Sequence, residues 1–346
     1  RERVMAFLEP EGRERLRFRN ALVRDVTYEG LAYRLRARLH REAGEVLEAL
    51  STDPAADSDT LSMHFWQASD HPRTWRYALM AAERAERAYA NADAAVQFER
   101  ALDAARRLPD VRIEDRVDTL IRLGDVRELA GEFEGSLEAY RRAFALVPPD
   151  DVVRRAELIL RRARAKERVS RFSDALRDVG RARRLVAGGS DDAARKVAAQ
   201  LAAFAAVIRV AQERPRDVLR VASEAVELAR EADEPEALGR ALMMLDWAHI
   251  ELGQPEQAVN NRQALEIFES IGALSRVASA KGTLGYTSYF EGRWTDAVRL
   301  LDEAKNDFLR IGDRMSAAFA SSNLADILIS QGRYEEAADL LHDAIR

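Results

Sequence analysis

The chain of 346 residues contains no cysteine, which excludes disulfides and thiolate metal sites and leaves nothing that asks for an oxidising compartment. Lysine is scarce too: Lys166, Lys196, Lys281 and Lys305 are the only four among 54 basic side chains. An arginine- and alanine-rich chain of this kind is what a GC-rich, actinobacterium-like genome writes. No stretch approaches the roughly 18 consecutive apolar residues of a membrane span, and Arg1 to Phe7 lacks the apolar core of a signal peptide. A cytoplasmic location is the expectation. The chain starts at Arg1 rather than Met, and a piece of a longer protein is expected.

Recognisable catalytic motifs are missing as well. There is no Gly-x-x-x-x-Gly-Lys-Ser/Thr loop to cradle phosphates, no Gly-x-Gly-x-x-Gly and no Gly-x-Ser-x-Gly. The five histidines, His40, His64, His71, His249 and His342, are scattered, and no pair stands four apart as helical metal ligands do. No metal, no cofactor and no catalysis are expected of this chain, so the question becomes which surface it presents.

What the sequence does contain is a period. Six short turn signals read Gly131-Glu132-Phe133 with Ser136, Arg171-Phe172 with Ala175, Arg214-Pro215 with Val218, Gly253-Gln254-Pro255 with Ala258, Gly292-Arg293-Trp294 with Ala297, and Gly332-Arg333-Tyr334 with Ala337. From one aromatic or proline to the next the steps are 39, 43, 40, 39 and 40 residues, and a weaker member at Asn91 with Ala94 lies 42 before Phe133. Between the signals apolar and small residues fall three and four apart, which is helical spacing. A fixed period of this size means stacked helical hairpins, one helix before each mark and one after it. About seven hairpins are expected over residues 51–346, with residues 1–50 as a separate helical segment.

In the last hairpin Leu324, Ala325 and Leu328 face Ala337, Leu341 and Ala344, and the preceding one repeats this as Leu284, Gly285, Ala297, Leu301 and Ala304. Small residues let the two backbones approach while leucines fill the groove between them. One hairpin departs from the rule, with Asp246 in the small-residue position and Arg262 where an apolar group belongs. Those two are expected to pair with each other or to form a polar site, and a register shift is expected near Asn260 and Asn261. First helices of such an array line its inner face. That places Met243, Trp247 and Ile250, then Tyr286 and Tyr289, then Asp326 and Ile329 along one groove, with Asp125, Glu128, Arg164 and Glu167 farther back.

Charge is uneven: residues 1–184 carry 36 basic and 33 acidic side chains, and residues 185–346 carry 18 and 26. Arg154 to Arg184 holds 12 basic against four acidic residues, read as a solvated helix face. In the basic segment Arg13 to Arg41 the apolar stripe is expected to pack internally, leaving Arg17, Arg19, Arg24, Arg36 and Arg38 to dock an adjacent domain rather than nucleic acid.

From about residue 75 to its end the chain resembles the tetratricopeptide repeat, which implies an all-α, right-handed superhelix of hairpins with a period of about 40 residues. The segment Arg15 to Leu31 resembles the winged-helix-like region that follows the ATPase module of large bacterial signalling proteins, on Phe18, Ala21, Leu22, Arg24, Asp25 and Tyr28. Asn20 stands where that family carries His. His64 and the run Phe98 to Leu102 extend the likeness. This resemblance implies the sensor arm of a signalling ATPase attached to an adenylate or guanylate cyclase, or alternatively of a LuxR-family transcription regulator. It further implies a protein segment, a small effector or the attached ATPase and cyclase domains as partners, no direct contact with nucleic acid or membrane, and self-association as an option through the last hairpin.

Overall fold

The computed structural model describes residues 7–11, 15–189 and 191–345. Arg13, Glu14 and Arg346 lie outside them. Two short antiparallel strands come first, β1 (Leu8–Glu11) and β2 (Arg15–Phe18), with Leu8 opposite Phe18 and Glu9 opposite Arg17. Charged and apolar residues alternate from Arg15 to Phe18, which is the period of a strand; apart from this small hairpin the described residues are built of helices, as the all-α reading expects.

Helices follow as α1 (Ala21–Glu29), α2 (Tyr33–Leu50), α3 (Ser58–Gln67), α4 (His71–Arg87) and α5 (Asn91–Ala105). Next come α6 (Ile113–Leu129), α7 (Phe133–Leu146), α8 (Val152–Arg168), α9 (Phe172–Val186), α10 (Asp192–Ala211) and α11 (Pro215–Glu231). The last are α12 (Pro235–Glu251), α13 (Asn261–Ser270), α14 (Leu274–Phe290), α15 (Trp294–Arg310), α16 (Arg314–Ser330) and α17 (Tyr334–Ile345). The chain forms two compact units, one of residues 1–84 and 96–111, the other of residues 85–95 and 112–346.

In the first unit Leu61, Phe65 and Tyr77 form the core, and Tyr77 donates to Glu48. Helix α1 buries no residue, with Leu22 69% and Val26 62% exposed. The apolar stripe expected to pack internally therefore faces outward on this helix.

The second unit is a run of helical hairpins whose second members begin at the turn signals: α7 at Phe133, α9 at Phe172, α11 at Pro215, α15 at Trp294 and α17 at Tyr334. Each turn needs a left-handed residue two positions before the helix it introduces. Glycine supplies it at Gly131 and Gly292, whereas Ser170 (φ 58°) and Glu213 (φ 55°) adopt it despite carrying a Cβ. Successive hairpins bury small residues at their crossings. Ala297, Leu301, Leu324, Ala325, Leu328 and Ala337 pack as one cluster, and α10 buries Ala199, Ala202, Ala203 and Ala206 on several sides. Gly285 sits so close to α15 that a Cβ would meet Leu301 Cγ at 2.9 Å.

The irregular hairpin is resolved by a break rather than an ion pair. Its second helix is interrupted: a short 3-10 turn at Pro255–Gln257 is followed by α13 from Asn261. Asp246 is fully buried, and its carboxylate accepts the backbone N–H of Asn260 and of Asn261, each at 2.7 Å, and the Asn260 side-chain amide at 2.7 Å. It thus caps α13 from the neighbouring helix. Burial pushes the Asp246 carboxyl up, against the pull of those donors. The expected pairing with Arg262 is corrected: Arg262 lies exposed on the first turn of α13, while backbone donors satisfy the aspartate.

Candidate functional site: a groove lined by the first helices

Two cavities open on the second unit, and the first helices of successive hairpins supply most of their walls. One, of about 660 Å³, is walled by Met243 and Trp247 of α12, Tyr286 of α14, and Met315, Phe319 and Asp326 of α16. The spacings within each helix are four or seven residues, which put the side chains on one face. Phe319 is 70% and Tyr286 38% exposed, so large apolar surface is left facing solvent. Ile250 and Tyr289 do not line this cavity. Tyr289 instead stacks toward Trp294, at 6.3 Å between ring centres, and shares a hydrogen bond of 3.1 Å with Ser330.

The other cavity, of about 380 Å³, is polar. Asp125 and Glu128 of α6 face Arg161, Arg164 and Arg168 of α8, with Arg240 and Arg276 beyond. Arg161 donates to both oxygens of Asp125 at 2.6 Å, and Tyr140 adds a bond of 2.8 Å to the same carboxylate. Arg276 and Arg240 donate to Glu236 at 3.0 and 3.1 Å. Burial works to raise the Glu236 carboxyl, yet Arg276, Arg240 and Arg164 together hold it down at about 2. Desolvation pushes Glu128 and Glu167 up, and it pulls Arg164 and Arg240 down, with Arg276 adding repulsion to both arginines.

Arg168 stands between the two cavities and lines both. Its guanidinium donates to Asp313 at 2.8 Å and to Ser316 at 3.0 Å, and nearby Asn91 donates to the Ile311 carbonyl at 3.2 Å. The turn before α16 is thereby held against the end of α8 and the start of α5.

The basic stretch Arg154 to Arg184 is therefore more than a solvated face. Three of its arginines line the polar cavity, and Arg162 and Lys166 both bond the buried Asp178. Sequence reasoning missed Met315, Phe319, Arg168, Arg240 and Arg276. The four-residue step from Met315 to Phe319, continuing through Asn323 to Asp326, was the available signal. In the first unit Arg17 pairs with Glu9, Arg24 with Asp25 and Arg38 with Glu42; Arg19 donates to the Leu8 carbonyl, and Arg36 lies over the Tyr28 ring. Among the described residues no helix is long and apolar enough to cross a membrane.

Residues 276–346 match the tetratricopeptide repeat family. No curated protein matches the chain significantly. Among solved structures it is similar to the Rap conjugation gene regulator of plasmid pLS20 in complex with the Phr* peptide, at 12% identity over 93% of this chain and 92% of that one, TM-score 0.63. Aspartyl phosphate phosphatase F from Bacillus subtilis is similar at 12% identity over 83% of this chain and 74% of its own, TM-score 0.63. A signal transduction ATPase with numerous domains and a tetratricopeptide repeat sensor, from Pyrococcus horikoshii, matches 98% of the chain at 18% identity, TM-score 0.47; the chain spans 50% of that protein's length. The fold is thus an all-α array of tetratricopeptide-like hairpins.

Proposed function

We propose that this chain is a non-catalytic interaction and sensor module that takes a peptide or protein segment into the groove of its second unit. The observation that carries this is the adjoining pair of cavities along the first helices: exposed aromatic side chains in one, concentrated guanidinium groups in the other, with Arg168 between them, on the face where repeat arrays receive extended partners. The Rap regulator with its Phr* peptide supports it as an example of a peptide-bound protein with this fold.

In the finer form of the proposal the module regulates an attached ATPase with cyclase output, by binding one arrangement of the arm more tightly than another. Arg17, Arg19, Arg24 and Arg38, interleaved with the exposed Leu22 and Val26, would form the docking surface for that neighbouring domain. Reading the coding locus on both sides tests the output: paired metal-binding aspartates and a P-loop upstream support it, and a helix-turn-helix downstream replaces it with a transcription regulator.

Groove binding is tested by selecting from a random linear-peptide library on the purified chain. Selected peptides should lose about tenfold in affinity on Phe319→Ala or Tyr286→Ala, with helicity by circular dichroism unchanged. Absence of any selected binder, or binding indifferent to both substitutions, overturns the reading.

A further inference from the structure

The polar cavity contains a guanidinium with no hydrogen-bond acceptor: Arg164 feels the carboxylates of Glu236 and Glu128 only through space. Arg276 and Arg240 share the single carboxylate of Glu236, Arg161 is taken by Asp125 and Arg168 by Asp313. Arg164 makes no hydrogen bond or ion pair with any described residue, and its Nε is shielded from solvent without an acceptor. At Nε the group has lost hydration with no compensating acceptor from the protein. Its planar fork fits a carboxylate by two parallel bonds.

The surroundings favour an anion over a cation. Asp125, Glu236 and Asp313 already receive charged donors, and desolvation pushes the remaining acids, Glu128 and Glu167, toward their neutral forms. The aromatic cavity adjoins directly, since Glu167, Arg168, Ser279 and Ser316 line both. A ligand reaching Arg164 therefore has Trp247, Tyr286 and Phe319 within reach of the same short segment.

We infer that the groove selects an extended peptide segment carrying an aspartate or glutamate, whose carboxylate is held by Arg164, and a bulky apolar side chain that enters the aromatic cavity. This rests on the groove-binding reading above and adds the chemistry of the occupant. The acidic side chain supplies the acceptor that Arg164 lacks, and the apolar one covers the exposed face of Phe319. A basic segment would be repelled by Arg164 and would bring it no acceptor.

The test is a thermodynamic cycle. From the selection described above, an acidic peptide and its amide counterpart (Asp→Asn or Glu→Gln) are titrated against the wild-type chain and against Arg164→Met. The expected result is that the wild type prefers the acid by about tenfold or more, that Arg164→Met loses this preference, and that Arg164→Lys recovers part of it. Equal binding of acid and amide by the wild type overturns the inference even if Arg164→Met fails to fold. Selected peptides without acidic enrichment that still need Phe319 leave the groove reading standing and sink this one. Failure to select any peptide removes both.

Discussion

Two positions show how tightly single residues are specified. Gly285 and Ala325 occupy equivalent places in successive hairpins, yet only the second has room for its methyl group. A Cβ on Gly285 would come to 3.2 Å from the Ala297 carbonyl oxygen as well as meeting Leu301, so the helices must part to admit it. Gly285→Ala is expected to lower stability by about 1–3 kcal/mol despite alanine's better helix propensity, and urea denaturation measures it. A stabilised variant would mean that α14 and α15 separate freely. Glu236 gives a pH signature. Its folded value of about 2 lies below the ordinary 4.5, so its charged form adds stability that is fully present above about 4.5 and lost as pH falls toward 2. With the carboxylate about one-third exposed, screening reduces the contribution to about 1–2 kcal/mol. Glu236→Gln should therefore be less stable than the wild type at pH 6, with the gap narrowing below about pH 4.5 and closing only near pH 2. A gap independent of pH would exclude the charge as its source.

Among the elements, the turns were the most legible part of the chain, because each demands a left-handed residue two positions before the next helix and glycine answers that demand visibly. Where Glu213 does so instead, its Cβ carries a steric cost. Glu213→Gly is expected to stabilise by about 0.5–1 kcal/mol, read as a raised denaturation midpoint, with no change in the helices; a lowered midpoint would show that the side chain earns more than its strain. The break before α13 was legible only as an anomaly. An aspartate in a small-residue position announces that something polar meets it, but not that the backbone N–H groups 14 and 15 residues on are the partners. Asp246→Ala should leave those donors unsatisfied and cost about 2–4 kcal/mol, with faster amide exchange at Asn260 and Asn261. The groove was half legible for a related reason. Aromatic residues at helical spacing identify a face, whereas in a stretch as arginine-rich as α8 the composition is the same whether a guanidinium points to solvent or into a cavity. Only the arrangement of α6, α12 and α14 around the same cavity separates Arg164 from its neighbours.

At the largest scale, the second unit is closed by contacts that no local pattern encodes. A repeat array needs only contacts between neighbours, yet Arg168 and Asp313 lie 145 residues apart and Asn91 and Ile311 lie 220 apart. The ion pair is largely shielded, at 23% and 8% exposure, so removing one partner strands a charge at a cost of about 3–5 kcal/mol. Asp313 would still cap α16 through the Ser316 amide at 3.0 Å, so the helix survives and the loss falls on the join. Arg168→Ala combined with Asn91→Ala is therefore expected to leave helicity intact while residues 311–317 exchange their amide hydrogens faster. Because Arg168 also separates the polar from the aromatic cavity, the same variant should weaken groove binding even though it removes neither Phe319 nor Arg164. Unchanged exchange at 311–317 would mean that hairpin stacking alone sets the curvature. Faster exchange with unchanged binding would confine the join to stability and leave the two cavities to act independently of it.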